Sequence, residues 1–173
     1  MIPLLTADEM RAAERQAIEG WGVASLVLQE HAALGALALL PGDAQLHVLA
    51  GPGNNGGDAL ALARLAHLQG RAVTVWSPFA QPHWQGDAAQ QARLWQGLGQ
   101  SIQTTEAPAR AMTAWRGWVV DGLFGLGTTR PLEGPAATWV QALNASGLPV
   151  LALDLPSGLD PSSAEVPGEA VHG

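Results

Sequence analysis

Apolar residues along the chain fall into short continuous runs separated by longer segments with helical spacing. Two helical segments come before the first continuous run. Thr6 and Glu9 match the capping-box pattern and predict a helix over 7–19. A second helix is predicted over 25–40, where Pro41 and the glycine that follows stop it. The chain therefore begins with helices that lie outside the alternating pattern.

After residue 45, apolar runs alternate with helical segments. Strands are predicted at 46–50, 71–76, 118–121 and 150–154, and helices at 59–69, 84–98 and 135–144. The runs are continuously apolar, which is typical of parallel strands covered on both faces by helices. In such α/β folds ligands bind beyond the carboxyl ends of the strands. The loops after the first, third and fourth predicted strands are therefore the places to look for function.

Length and composition narrow the class of protein. At 173 residues, with 47% hydrophobic and 13% charged residues, the chain is expected to form a single globular domain. Every cation is an arginine, and the net charge of −7 argues against nucleic acid as a partner. The absence of cysteine excludes a disulfide scaffold. With no secretory signal and no apolar stretch of roughly 20 residues, we expect a cytoplasmic protein that does not enter a membrane.

The loop after the first strand reads GPGNNGGD, and its glycines satisfy G-x-G-x-x-G over 51–56. Two features argue against an ordinary dinucleotide fingerprint. Trp76 and Ser77 stand where an acid should hold the ribose, and Asp58 at the helix start would repel a pyrophosphate. A tight turn capped by Asp58 is the alternative interpretation.

The other two loops each begin with an aspartate. Asp121 ends the third strand in VVDGLFGLGTTRP, and Asp154 ends the fourth in ALDLPSGLD. Each could instead cap the turn that follows. If the strands are neighbours, one end of the sheet collects amide, carboxylate and hydroxyl groups from Asn54, Asn55, Asp58, Asp121, Asp154 and Ser157. Hard oxygen donors of this kind predict an alkali or alkaline-earth cation site.

Together with the N-terminal T-x-x-E-M-R helix, these three motifs closely resemble the YjeF N-terminal family, the NAD(P)H-hydrate epimerases, over about residues 6–168. The resemblance implies a Rossmann-like three-layer α/β/α sandwich with a mainly parallel sheet. It implies a potassium ion, a homodimer, and hydrated NADH or NADPH as the substrate, whose R and S epimers the family interconverts in nicotinamide nucleotide repair. It also implies an ADP- or ATP-dependent NAD(P)H-hydrate dehydratase as functional partner.

The resemblance also assigns residues. It implies that the hydrated dinucleotide contacts Asn54, Asn55, Gly56, Gly57, Asp58, Gly125, Leu126, Gly127, Thr128, Thr129, Arg130, Pro131 and Asp154. It implies that Asn55, Asp121 and Ser157 bind potassium. Our hypothesis for the chemistry is that Asp121 is the catalytic carboxylate that shuttles the proton, while Asp58 and Asp154 position the substrate and stabilise its cationic intermediate.

The sequence departs from the family pattern in three places, of which the first is Ala59, where the family usually has glycine. Residues 28–33 read LQEHAA, with His31 where the family usually has asparagine and Ala33 where it usually has glycine. The chain is expected to be one domain over 1–173, with N-terminal helices at 6–40 and an α/β body at 46–173 that is short of the family's C-terminal strands and their lysine-containing segment.

A truncated or non-catalytic nucleotide-binding or scaffold module of the same fold is the alternative function. An NAD(P)-dependent oxidoreductase is disfavoured, because the ribose acid is missing and no lysine or tyrosine can relay protons.

Overall fold

The computed structural model describes residues 5–79, 83–105, 108–127 and 130–172. In that part of the chain a five-stranded sheet forms from β1 (Leu46–Ala50), β2 (Val73–Ser77), β3 (Ile102–Thr104), β4 (Trp118–Gly122) and β5 (Val150–Ala152). Its strand order is β3-β2-β1-β4-β5, and every neighbouring pair is parallel. The first three strands therefore progress toward one edge, and the chain then returns to the other side of β1.

This return makes the junction of β1 and β4 the switch point of the sheet. The two strands pair from Leu46 opposite Trp118 to Ala50 opposite Gly122, so their carboxyl ends are level. The loop after β1 leads to one face of the sheet and the loop after β4 leads to the other. Such a divergence opens a crevice at the carboxyl edge, where open α/β sheets bind their ligands.

Helices cover both faces of the sheet, as the three-layer prediction requires. One core joins the sheet to the helices α2 (Ser25–Leu37), α3 (Asn54–Leu68) and α4 (Gly86–Gly97). A second core lies on the opposite face and contains residues of α5 (Pro108–Met112) and α6 (Gly134–Ser146). Alternating side chains of β1 serve the two cores, with Val48 in the first and Leu49 in the second.

The N-terminal helix α1 (Ala7–Arg15) contributes no side chain to either core. Its predicted capping box is confirmed. The Thr6 hydroxyl accepts a hydrogen bond from the Glu9 amide, and the Glu9 carboxylate accepts a hydrogen bond from the Thr6 amide at 2.8 Å. The helix continues as a π-helical turn, Gln16–Gly20, and neither segment buries a side chain. Among the described residues no helix is long and apolar enough to cross a membrane.

The predicted strands and long helices are present, with differences at their ends. α3 begins at Asn54, five residues earlier than predicted, because Gly53 supplies an extended N-cap and the next residues are already helical. β5 ends at Ala152, so Asp154 lies in the following loop. The edge strand β3 and the short helix α5 were not predicted, since a three-residue strand with one half-buried side chain carries little periodicity.

Candidate functional site

A cavity of about 850 Å³ lies at the carboxyl edge of the sheet, at the switch point. Its floor consists of the loops that follow β1, β4 and β5, and its walls come from α1 and α2. The loop after β1 is fixed to its surroundings by backbone and indole contacts. The Gly51 amide donates to the Gly122 carbonyl at 3.0 Å, and the Trp84 indole donates to the Gly51 carbonyl at 2.7 Å.

The first turn of α3 carries the NNGGD segment into the cavity. Gly56 packs directly on the Gly51 carbonyl, where a side chain has no room. Gly57 faces α2 and α4, and a Cβ there would lie 3.0 Å from the Ala88 Cα. Because these two glycines let the helix start close against its neighbours, Asn54 and Asp58 reach the cavity wall.

Asp58 is a partly buried carboxyl group in this wall. Burial raises its pKa to about 6, a hydrogen bond from the Gln29 side chain lowers it, and the charges of Asp154 and Glu14 raise it. Near neutral pH the group can therefore populate both its acid and its carboxylate form. A carboxyl group of this kind is suited to give up and take back a proton.

Asp154 faces the same cavity from the loop after β5. Its backbone is in the left-handed region, at φ +66°, which a residue other than glycine adopts at some cost. The Asp154 carboxylate accepts a hydrogen bond from the Leu126 amide at 2.8 Å, which links the loop after β5 to the loop after β4. A Cβ on Gly125 would collide with the same carboxylate. The strained backbone thus holds an exposed carboxylate at a fixed place in the wall.

Asp121 occupies a different environment at the end of β4. Its side chain has no exposed surface and does not belong to the cavity wall. Its carboxylate accepts three hydrogen bonds, from the Ser157 hydroxyl at 2.7 Å, the Ser157 amide at 2.8 Å and the Leu123 amide at 3.2 Å. Burial raises its pKa, and these hydrogen bonds lower it. Through these hydrogen bonds Asp121 links the loop after β4 to the loop after β5. Direct proton exchange between Asp121 and a substrate stays a prediction.

Beside Asp121 lies a cluster of oxygen atoms that could coordinate a cation, from the side chains of Asn55 and Ser157 and the carbonyl of Phe124. The Asn55 amide donates to the Phe124 carbonyl at 2.8 Å, and the Ser157 hydroxyl lies 3.1 Å from the same carbonyl. The Asn55 Oδ1 atom is buried and has no hydrogen-bond partner among the described residues. An orphaned buried oxygen costs free energy, which a bound cation would offset. The described residues contain no cluster of three or more His, Cys, Asp or Glu that would suit a transition metal.

Comparisons with known proteins place this arrangement in a family. Residues 20–173 match the family described as YjeF-related protein N-terminus. The chain belongs to this family. A protein of Limosilactobacillus fermentum named NAD(P)H-hydrate epimerase is 37% identical over 171 residues, which cover 96% of this chain and 80% of that protein.

Two further comparisons extend the likeness. A Bordetella pertussis protein of the same name is 39% identical over 166 residues, covering 94% of this chain and 69% of the relative. The crystal structure of the yeast protein ynu0, YNL200c, superposes with a TM-score of 0.78 at 20% identity. It covers 92% of this chain and 72% of the yeast chain, so the fold is shared.

The cavity contains part of the residue set predicted from the likeness to the YjeF family. The predicted residues in its wall are Asn54, Asn55, Asp58, Gly125, Leu126, Gly127 and Asp154. Gly56 and Gly57 are buried behind it, and Arg130 and Pro131 are exposed and outside it. Asp121 and Ser157 lie beneath the wall, and Thr128 and Thr129 lie outside the described residues.

The α1 residues in the wall were not predicted as site residues. Met10, Arg11 and Glu14 all line the cavity, and the Arg11 guanidinium donates to the Leu126 carbonyl at 2.8 Å. The capping box located this helix in the sequence, but nothing in a local pattern places it against a loop 115 residues away. In the described wall, Arg11 is the cation among the carboxylates Glu14, Asp58 and Asp154.

Proposed function

We propose that this chain is an NAD(P)H-hydrate epimerase, an isomerase that interconverts the R and S epimers of hydrated NADH or NADPH. The observation that carries the proposal is the cavity at the β1–β4 switch point, into which the three sequence motifs bring two carboxyl groups, Asp58 and Asp154. The relatives that bear this name cover most of the chain, which supports the same substrate.

The reaction needs an acid beside the hydroxyl group at C6 of the hydrated ring. Protonation of this hydroxyl lets the C6–O bond break and water leave with its electron pair, while the ring nitrogen lone pair forms an iminium. Water then adds to the opposite face and loses a proton to the waiting carboxylate. No net proton, electron or atom is consumed, so one carboxyl group that cycles between acid and base suffices.

Asp58 is the cavity carboxyl best suited to this cycle. Its pKa of about 6 makes it an effective acid near neutral pH, and its side chain is open to the cavity. Asp154 accepts a hydrogen bond from the Leu126 amide and adds negative charge to the cavity. This negative charge stabilises the cationic iminium. The earlier hypothesis gave the proton transfer to Asp121, and the buried, triply hydrogen-bonded Asp121 is better suited to fixing the loops.

Potassium fits the donor cluster beneath the wall. Asn55 Oδ1, the Ser157 hydroxyl, the Phe124 carbonyl and Asp121 would hold the ion, and their hard neutral and anionic oxygens suit an alkali cation. A bound ion would supply fixed positive charge beneath the cavity wall. Asn55 and Ser157 meanwhile hold the β4 loop through the Phe124 peptide.

A homodimer and a dehydratase partner belong to the same proposal. Val27, His31 and Leu34 form an exposed face of α2, and Trp21 beside it is 73% exposed. Apolar surface of this kind favours association with a second copy. An ADP- or ATP-dependent dehydratase would consume one epimer, and both steps would take place in the cytoplasm.

Conversion of one pure epimer tests the proposed function. The (R)-hydrate of NADH is incubated with the protein and potassium, and the (S)-hydrate is followed by chromatography. We expect conversion well above the rate without protein. Equal rates with and without protein would overturn the proposal and favour the non-catalytic scaffold.

A further inference from the structure

Leu126 lies in the cavity wall between two glycines, in the loop after β4. Glycine backbones are conformationally permissive, so the segment from Gly125 to Gly127 has little local preference for one conformation. A Cβ at Gly127 would find no atom within 4 Å, so packing does not confine the backbone there. The position of Leu126 therefore depends on its contacts with other parts of the chain.

Two charged side chains hold Leu126, one on each side of its Cα. Its amide donates a hydrogen bond to the Asp154 carboxylate at 2.8 Å, and its carbonyl accepts one from the Arg11 guanidinium, also at 2.8 Å. A residue held at both its amide and its carbonyl has little freedom left in φ and ψ. Arg11, Leu126 and Asp154 thus form a continuous chain of contacts from α1 to the loop after β5.

The bond to Leu126 is the contact through which Arg11 acts on the cavity. Arg11 also pairs with Asp8 at 2.9 Å, but the Asp8 side chain is 94% exposed, and exposed ion pairs contribute little to stability. Among the described residues, the bond from Arg11 to Leu126 is the one hydrogen bond that joins α1 to the α/β body. Since α1 buries no side chain, this bond is well placed to fix the helix against the wall.

We propose that Arg11 is a positioning residue, which fixes Leu126 and, through it, the Asp154 carboxylate in the cavity wall. The role of Asp154 in epimerisation rests on the proposed function, but the contacts among the three residues do not. A carboxylate stabilises a cation less as the distance between the two charges grows. Without Arg11, Leu126 is held at its amide alone and can move together with the carboxylate. The loss of Arg11 should therefore lower kcat more than it changes KM.

The first test compares Arg11→Met with Arg11→Lys. Methionine keeps an unbranched apolar stem and removes the donor, so we expect kcat to fall about tenfold, with KM changed less than threefold. Lysine keeps a donor of similar reach and should restore kcat to within about threefold of wild type. A kcat of Arg11→Met within twofold of wild type would overturn the proposal, and so would an Arg11→Lys variant as slow as Arg11→Met.

Arg15→Met is the matched control. Arg15 is an exposed arginine one turn further along α1, and it lies outside the wall of this cavity. A general effect of removing an arginine from α1 would appear in this variant as well. We expect Arg15→Met to keep the kcat of wild type, and an equal loss in both variants would contradict a specific role for Arg11.

A double-mutant cycle tests whether Arg11 acts through Asp154. If Arg11 positions the charge of Asp154, removal of this charge in Asp154→Asn should also remove the effect of Arg11→Met. We therefore expect the kcat of the double variant to lie within about twofold of that of Asp154→Asn alone. A further tenfold loss in the double variant would show that Arg11 acts independently, for example on the substrate phosphates, and would overturn the proposal.

Hydrogen exchange at the Leu126 amide separates this proposal from the proposed function, because it is measured without substrate. Followed by ¹⁵N NMR, the exchange of this amide should be about fivefold or more faster in Arg11→Met than in wild type, and unchanged in Arg15→Met. Unchanged exchange in Arg11→Met refutes the role of Arg11. Faster exchange in a protein without epimerase activity refutes only the proposed function.

Discussion

The ends of β1 and β4 each lead to an aspartate whose pKa is raised by burial, yet the two groups differ in access and in hydrogen bonding. Asp121 at the end of β4 is fully buried and accepts three hydrogen bonds from Ser157 and Leu123. Asp58, in the first turns of the helix after β1, lines the cavity and is only partly buried. Neighbouring strands thus lead to one carboxyl group in the cavity wall and to one that is buried within the fold.

The difference shows that the direction of a pKa shift does not identify a catalytic acid by itself. A fully buried carboxylate that does not line the cavity is out of reach of a substrate bound there. A carboxyl with a raised pKa in the wall of a cavity has both a proton to give and a place to give it. Access and hydrogen bonding therefore support the proposed proton transfer at Asp58 and the role of Asp121 in linking the two loops.

The largest expected effect is that of Asp58→Asn on catalysis. This substitution keeps the shape of the side chain and removes the titrating proton, so we expect kcat to fall about 100-fold or more. Stopped time courses of (R)-to-(S) conversion measure it. Asp43→Asn, at an exposed aspartate outside the cavity wall, is the matched control and should keep wild-type activity. Equal activity of Asp58→Asn and wild type would remove Asp58 from the mechanism.

Asp121→Asn should act mainly on stability. An amide cannot accept all three hydrogen bonds that Asp121 now accepts, so we expect the free energy of unfolding to fall by about 2–3 kcal/mol. Urea denaturation followed by tryptophan fluorescence gives this value. The same variant tests the earlier hypothesis for Asp121, because wild-type activity in its folded state would exclude it as the proton shuttle.

Asp58→Asn should also change the pH dependence of stability. The pKa of Asp58 is raised to about 6 in the folded protein, so the native state loses stability as pH rises from about 4 to about 6. Well above pH 6 we expect Asp58→Asn to be more stable than wild type by about 3 kcal/mol. Below pH 4 the two proteins should unfold at the same urea concentration, and a difference that persists there would point to another cause.

The smallest expected effect concerns potassium. Binding to the native state at a few times the dissociation constant should stabilise the protein by about 1 kcal/mol. Thermal unfolding in potassium chloride, compared with choline chloride at equal ionic strength, measures this gain. Asn55→Ala removes the orphaned Oδ1 atom and should abolish the gain. A gain that survives in Asn55→Ala would place the ion elsewhere.

Sequence patterns predicted the strands well, because each central strand is a continuous apolar run between breakers. They also brought Asn55, Asp58 and Asp154 to one cavity, since the carboxyl ends of parallel strands share an edge. They could not separate Asp58 from Asp121, because burial and hydrogen-bond partners depend on side chains distant in the chain, such as Ser157.

The contributions of α1 and α2 escaped prediction for a related reason. Arg11 reaches a carbonyl 115 residues away, and no local pattern shows which residues of α2 line the cavity. The helical start at Asn54 was missed because two glycines in a first turn oppose helix propensity. Tertiary contacts with the β1 loop and with α2 and α4 outweigh that propensity.

Epimerisation in H₂¹⁸O tests the central claim most directly. If the cavity ionises the C6–O bond and readmits water, then (S)-hydrate formed from unlabelled (R)-hydrate by the protein carries ¹⁸O at C6, measured by mass spectrometry after subtraction of the reaction without protein. We predict labelled (S)-hydrate with wild type and a rate at least about 100-fold lower with Asp58→Asn. Unlabelled (S)-hydrate, or no conversion above background, would contradict the account.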